Sequence, residues 1–263
     1  MPNILLVLEY NGSRFNGWQK QPRGTRTIQE ELHKALERIV REKIRVVHVS
    51  GRTDAGVHAR AQVANFEVSK VPDLRRLAHS VSSFLRGEVA VLRAFEVPES
   101  FHAGDSALRK CYAYTILHRD TPAVLDWGRV WHLHGRLDLD LMQREAAVLL
   151  GVHDFSSFRS SDCSRKTSVR EIYRSEVVRE GEYLKYYVVG SGFLKQMVRN
   201  LVGTLVDRAR GRLTRSMAEI LELRDRRMAG VAAPACGLCL EWVEYPPEIM
   251  RLLQGEERAN ARS

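Results

Sequence analysis

Residues 50–59 read SGRTDAGVHA, one arginine and one aspartate held between two glycines. They follow the strand-like run Arg45-Val46-Val47-His48-Val49 and precede "RAQVANFEV" (60–68), where Ala64, Phe66 and Val68 share one face of a second strand. A turn between strands needs the glycines. It does not need Arg52, Thr53, Asp54 and His58. Asp54 therefore hangs between two strands, where its carboxylate can project into a cleft as a nucleophile, a base or a ligand. It can also serve as an Asx-type cap on Ala55-Gly56. Arg52, two positions back, is expected to hold the carboxylate ionised.

Upstream, Ile4 to Tyr10 is apolar enough for a strand, and "NGSRFNGWQKQPRGTRT" (11–27) is a long polar loop bearing Arg14, Phe15, Trp18, Lys20, Arg23 and Arg26. Thr27 to Glu30 has the form of a capping box, opening a helix with Ile28, Leu32, Leu36 and Ile39 on its apolar face. Downstream, a helix is predicted from Val71-Pro72-Asp73, then strands at "VAVLRAFEV" (89–97) and "KCYAYTILH" (110–118).

A looser second version follows: a helix over 139–150, a hairpin turning at Glu180-Gly181, a helix over 193–210, another including 218–223, and a strand at "GLCLEWVEY" (237–245). The pattern is α+β, two similar halves with a mainly antiparallel sheet and helices on one face. The expected division is 1–105, 106–247 and a frayed polar tail at 248–263.

Forty-one Lys and Arg against thirty-two Asp and Glu give a net charge of +9 over 263 residues, with the basic residues spread along the chain. A polyanion, most simply nucleic acid, is the expected partner. No stretch is long and apolar enough to cross a membrane, and no basic leader opens the sequence, so a cytoplasmic protein is expected. Four scattered cysteines do not describe a disulfide framework. Neither the single pair Cys236–Cys239 nor the nine histidines have metal-ligand spacing, so no metal site is expected.

Two further stretches carry candidate chemistry. In "FLKQMVRNLVG" (193–203), Arg199 and Asn200 lie off the apolar stripe, and Arg199 is either a partner for a buried carboxylate or a solvated cation. In "RKCYAYTI" (109–116), Tyr112 and Tyr114 share a face beside Arg109 and Lys110, which suits either base stacking or a core.

"GRTDAGVHA" (51–59), with "YNGSRFNGWQ" (10–19), "HDFSSFR" (153–159), "FLKQMVRNLVG" (193–203) and "APACGLCLEWVEYP" (233–246), resembles the TruA-type tRNA pseudouridine synthases in content and order over residues 3–247. The resemblance implies two RNA-recognition-like (ferredoxin-like) halves sharing one sheet, a homodimer, and no cofactor. It implies isomerisation of uridine to pseudouridine at positions 38, 39 and 40 of the tRNA anticodon stem-loop. Asp54 matches the family's catalytic aspartate, Tyr112 the tyrosine at the target base, Arg199 the cation that pairs with the aspartate, and Arg52 the arginine that helps displace the base. Cys239 departs from the family's more usual aromatic residue. The basic loop with Arg14 and Lys20, and Arg165-Lys166, would grip phosphates. Two other classes fit the composition: an RNA-binding module without catalysis, and a nucleoside or glycoside hydrolase, which needs a second positioned carboxylate.

Overall fold

The computed structural model describes residues 1–22 and 24–260, with residues 255–260 as backbone alone. The chain divides into two compact units, Met1–Arg109 with the residues from Leu240 onward, and Lys110–Cys239. The division falls close to the expected break at residue 105. The return of the C-terminal strand to the first unit was not expected.

In the first unit, β1 (Asn3–Tyr10) lies antiparallel between β3 (His58–Glu67) and β4 (Val89–Val97). Its residues are buried on both sides except Glu9, so it reads as a continuous apolar run, without alternation. β2 is only His48–Val49, paired with Asn65 and Ala64 of β3. The expected strand over 45–49 is thus two residues long, because Arg45 and Val46 face solvent while Val47 turns into the core.

Helix α1 (Ile28–Val40) starts where the Thr27 hydroxyl accepts from the Glu30 amide at 3.4 Å. The reciprocal half of the expected capping box is not made; the Glu30 carboxylate lies 3.5 Å from Lys34. α2 (Leu74–Phe84), capped by Asp73, packs on α1 and β4. β10 (Leu238–Glu244) follows β3 in the strand order β4-β1-β3-β10.

The predicted frayed tail is a helix through Asn260, α6 (Pro247–Asn260). Proline at its start costs no intrahelical bond, and Ile249 and Leu253, four residues apart, are buried. The Leu253 carbonyl accepts from Arg93 at 2.6 Å. The last three residues of that expected tail lie outside the described residues.

In the second unit the strand order is β5 (Arg109–His118), β9 (Tyr183–Gly190), β8 (Val169–Glu180), β7 (Gly151–Asp154), all antiparallel. The short β6 (Trp131–Leu133) runs parallel to β5. Helices α3 (Leu139–Ala147), α4 (Met197–Ala209) and α5 (Met217–Leu223) complete it. The α+β class and the two similar halves hold.

Helix α4 begins at Met197, not at the predicted Phe193, because Gln196 sits at φ 61°, outside the helical region. It is buried nearly all round, as expected of a helix at the centre of a unit. Asn200, expected off the apolar stripe, is fully buried: its amide donates to the Phe158 carbonyl at 2.8 Å and its oxygen accepts from Arg226 at 3.0 Å. A side chain that bonds at both ends pays little for its burial. Gly203 lets a neighbouring loop touch α4, since a Cβ there would stand 1.7 Å from the Val231 carbonyl oxygen.

Candidate functional site

The stretch 50–58 is built by the first unit. The Val57 amide donates to the Asp54 carbonyl at 3.1 Å, closing a β-turn with Gly56 in its third position at φ 79°. Only glycine adopts that angle without strain. The turn is pinned from one side by the 11–27 loop: the Trp18 amide donates to the Thr53 carbonyl at 3.0 Å, and the Gly56 amide donates to the Phe15 carbonyl at 3.3 Å. The Gly12 amide donates to His58 Nδ1 at 3.1 Å.

These contacts are close enough to dictate residue type. A Cβ on Gly12 would meet the Val57 carbonyl oxygen at 2.0 Å, and one on Gly17 the Thr53 carbonyl oxygen at 2.8 Å and the Ala55 nitrogen at 3.1 Å. Gly17 also sits at φ 86°. Phe15 and Trp18 anchor the loop in the core; Trp18 is buried completely, leaving its indole N–H without a partner among the described residues.

From beneath, a buried polar network holds the turn. The Tyr10 and Thr53 hydroxyls lie 2.8 Å apart, and the Gln62 amide donates to the Tyr10 hydroxyl at 3.2 Å and to the Gly51 carbonyl at 2.8 Å. The Ser50 hydroxyl donates to the Gln62 oxygen. In this low-dielectric setting each missing partner would cost about 1–3 kcal/mol, so the network favours one turn geometry. Gln62, Tyr10 and the two loop glycines were not singled out from the sequence. A glutamine at a core position of β3 was the one available signal.

Asp54 itself is half-exposed on this rigid support, and Arg52 is exposed. An exposed guanidinium can meet an anion.

The loop's basic residues are also less available than their number suggests. Arg26 forks onto Glu88 and lies over the Phe15 ring at 4.6 Å, and Arg14 reaches the same carboxylate at 3.6 Å. The Arg26 hydrogen bond holds the Glu88 carboxyl below its ordinary range. Lys20 is exposed, its amide fixed by Gln29 at 2.9 Å. Arg23 lies outside the described residues.

In the second unit, Tyr112 pairs with Val188 across β5 and β9, and its ring meets Phe193 edge-on at 5.2 Å between centroids. It is buried but for 7 % of its surface. Tyr114, its neighbour on the same face, is core: its hydroxyl donates to the Pro234 carbonyl at 2.7 Å, and burial drives its pKa well up. Gly237 permits this, since a Cβ there would stand 2.6 Å from the tyrosine ring.

Arg199 projects from the first turn of α4, its Nε donating to the Ala233 carbonyl at 2.8 Å while its own carbonyl accepts from the Ala233 amide at 3.0 Å. Arg199 is thus clamped while still partly accessible. Arg165 and Lys166 are exposed.

The four cysteines are free thiols. Among the described residues no group of three or more His, Cys, Asp or Glu could hold a metal, and no helix is long and apolar enough to cross a membrane.

A family model described as tRNA pseudouridine synthase matches residues 6–104 and 146–246. A tRNA pseudouridine synthase A of Geobacter sp. (strain M21) is 44 % identical over 248 residues, 94 % of this chain and 100 % of that protein. One from Citrifermentans bemidjiense is 45 % identical over 247 residues, 93 % of this chain and 98 % of that protein. Tyr112 and the rest of β5 fall between the two matched segments. Among solved structures, a chain titled as a Cbf5-Nop10-Gar1 complex aligns with 93 % of this chain and 59 % of that chain at TM-score 0.36 and 12 % identity, too remote to bear on fold or activity.

The contact at Gly17 yields a prediction. Gly17→Ala must move either the loop or the Thr53–Ala55 backbone by a few tenths of an ångström, and misplacement of that order costs about 10-fold or more in a chemical step. The turnover number in a steady-state assay should fall at least that far, with RNA affinity within about twofold of wild type. Full turnover by Gly17→Ala would show that the loop does not position the turn.

Proposed function

The chain belongs to the tRNA pseudouridine synthase family and isomerises uridine to pseudouridine in tRNA, and we propose that it acts in the anticodon stem-loop, at positions 38, 39 and 40, with Asp54 as its catalytic carboxylate. The observation that carries this reading is the Asp54 turn. A half-exposed carboxylate in a basic protein, fixed by main-chain bonds to a second loop and by a buried polar network below, is poorly explained by phosphate binding, which a negative charge weakens.

The reaction breaks the N1–C1′ bond, turns the uracil, and joins C5 to C1′. The C5 hydrogen leaves as a proton and N1 gains one, so no oxidant or second substrate is needed. Asp54 acts on the ribose, as nucleophile at C1′ or as base on the sugar. Arg199, clamped on the Ala233 carbonyl, serves as the cation that pairs with the aspartate. Tyr112, set edge-on against Phe193, stacks on the target base. A stem uridine must first leave its pair, at a cost of a few kcal/mol, and the exposed Arg52 fills the gap. Lys20 and, to a lesser degree, Arg14 contact phosphates beside it.

The protein is further proposed to act in the cytoplasm as a homodimer. The consecutive exposed residues Val124 (76 % exposed) and Leu125 (98 %), with Trp127 (82 %), form an apolar patch that supports self-association. Sedimentation should give a dimer for wild type and a monomer for Trp127→Glu; a monomeric wild type at tens of micromolar would rule the dimer out.

Tritium release tests the chemistry. Unmodified tRNA carrying tritium at uracil C5 should yield tritiated water with wild-type protein. Asp54→Ala should release none while binding tRNA at least as tightly, since it removes a negative charge. Release by a folded Asp54→Ala protein would end the catalytic assignment, and no release by wild type would leave only the binding module.

A further inference from the structure

The second unit carries a groove of 540 Å³ whose lining includes four arginines, Arg159, Arg224, Arg226 and Arg227, with Ser156 and Ser161. Two of the arginines are fixed cations. Arg226 is held by three neutral oxygens, the carbonyls of Ala229 and Gly230 at 3.3 and 2.9 Å and the Asn200 side-chain oxygen at 3.0 Å. Among the described residues no carboxylate bonds it, and burial lowers its pKa. Arg159 is held by the Ser168 hydroxyl at 2.9 Å and the Cys163 carbonyl at 3.1 Å, and its charge also acts on the Asp154 carboxylate. Charges held in this way sustain a positive field that neutral dipoles orient but do not cancel.

The other two arginines stand on the rim, exposed and paired with carboxylates. Arg224 is 68 % exposed and lies 3.6 Å from Asp154; Arg227 is 84 % exposed and forks onto Asp225 at 2.6 and 3.0 Å. Each carboxylate has a further donor besides the rim arginine's side chain. Asp154 accepts from the Ser156 hydroxyl at 2.6 Å and amide at 2.9 Å, and Asp225 accepts from the Arg227 amide at 2.9 Å. An exposed ion pair is worth little, so a rim arginine can turn to a better anion at small cost. Four guanidinium groups face two carboxylates, an excess of two positive charges. Exposed Arg165 and Lys166 continue the basic surface along the 159–170 loop.

We propose that this groove is a phosphodiester-binding site for the RNA substrate, in which Arg224 and Arg227 leave Asp154 and Asp225 to grip backbone phosphates over the fixed charges of Arg159 and Arg226. The proposal deepens the tRNA reading and rests on it. Arginine suits the task because its planar fork matches two phosphate oxygens, and binding of this kind carries affinity with no dependence on base sequence. Dependence on salt follows, since each phosphate neutralised releases condensed counterions.

The test is the Arg224→Ala/Arg227→Ala protein, chosen because both side chains are exposed and the fold does not rest on them, with Arg224→Lys/Arg227→Lys as its charge-conserving counterpart. Arg75→Ala, an exposed arginine on α2, controls for loss of charge alone. With labelled tRNA between about 50 and 200 mM salt, the alanine pair should lower the slope of log K against log salt by about one to two and weaken binding about 10-fold, while the lysine pair keeps most of the slope. In the tritium assay KM should rise about as much, with kcat unchanged. A slope and KM equal to those of Arg75→Ala would overturn the proposal. Inorganic phosphate, titrated by calorimetry, separates a free anion from RNA: binding lost in the alanine pair while the tRNA slope stays at the wild-type value would also overturn it. Tritium release by wild type reports the activity and the salt slope reports the groove, so the two can fail separately.

Discussion

Main chain pressed against main chain is the contact on which the Asp54 turn depends. Gly12 lies on Val57 and Gly17 on Thr53 to Ala55, with no room for a Cβ at either place. Because the two segments touch through their backbones, their separation is set by van der Waals radii and short hydrogen bonds, not by flexible side chains. The 11–27 loop is in turn fixed by Phe15 and Trp18 in the core and by the start of α1, where the Ile28 and Gln29 amides donate to the Gly17 and Trp18 carbonyls at 3.1 and 3.0 Å. A carboxylate supported in this manner loses little entropy when it meets a substrate, which is what a rate enhancement by positioning requires.

Charge is organised on a similar division between fixed and exposed groups. Arg199, Arg159 and Arg226 are tied to carbonyl or hydroxyl oxygens. Arg52, Arg224 and Arg227 are exposed. A protein that must hold a long polyanion and act on one of its bases benefits from both kinds. The net charge of +9 overstates the free positive surface, since Arg14 and Arg26 share Glu88.

Much of this was legible in the sequence where the signal is local. The existence of β3 and β5, the Asp73 cap and the glycine-bounded turn all follow from a few adjacent residues. The site residues were legible chiefly through the resemblance; composition and spacing left Asp54, Tyr112 and Arg199 open to ordinary structural roles. What was not legible depends on residues far apart in the chain. Glu88 gathers Arg14 and Arg26 across more than sixty residues, and Gln62 bonds Tyr10 across 52. The start of α4 was missed because a positive φ at Gln196 leaves no mark in the apolar period. The last helix was missed because its polar composition hides Ile249 and Leu253, the buried residues on its docked side.

The central claim is that the Asp54 turn is set before RNA arrives. Amide hydrogen exchange in the free protein measures this directly. The amides of Trp18, Gly56 and Val57, which donate to Thr53, Phe15 and Asp54, should be protected to the level of the β3 amides and change little when tRNA is added. Exchange of these amides at the rate of solvent-exposed backbone, with protection appearing only on tRNA binding, would contradict the account.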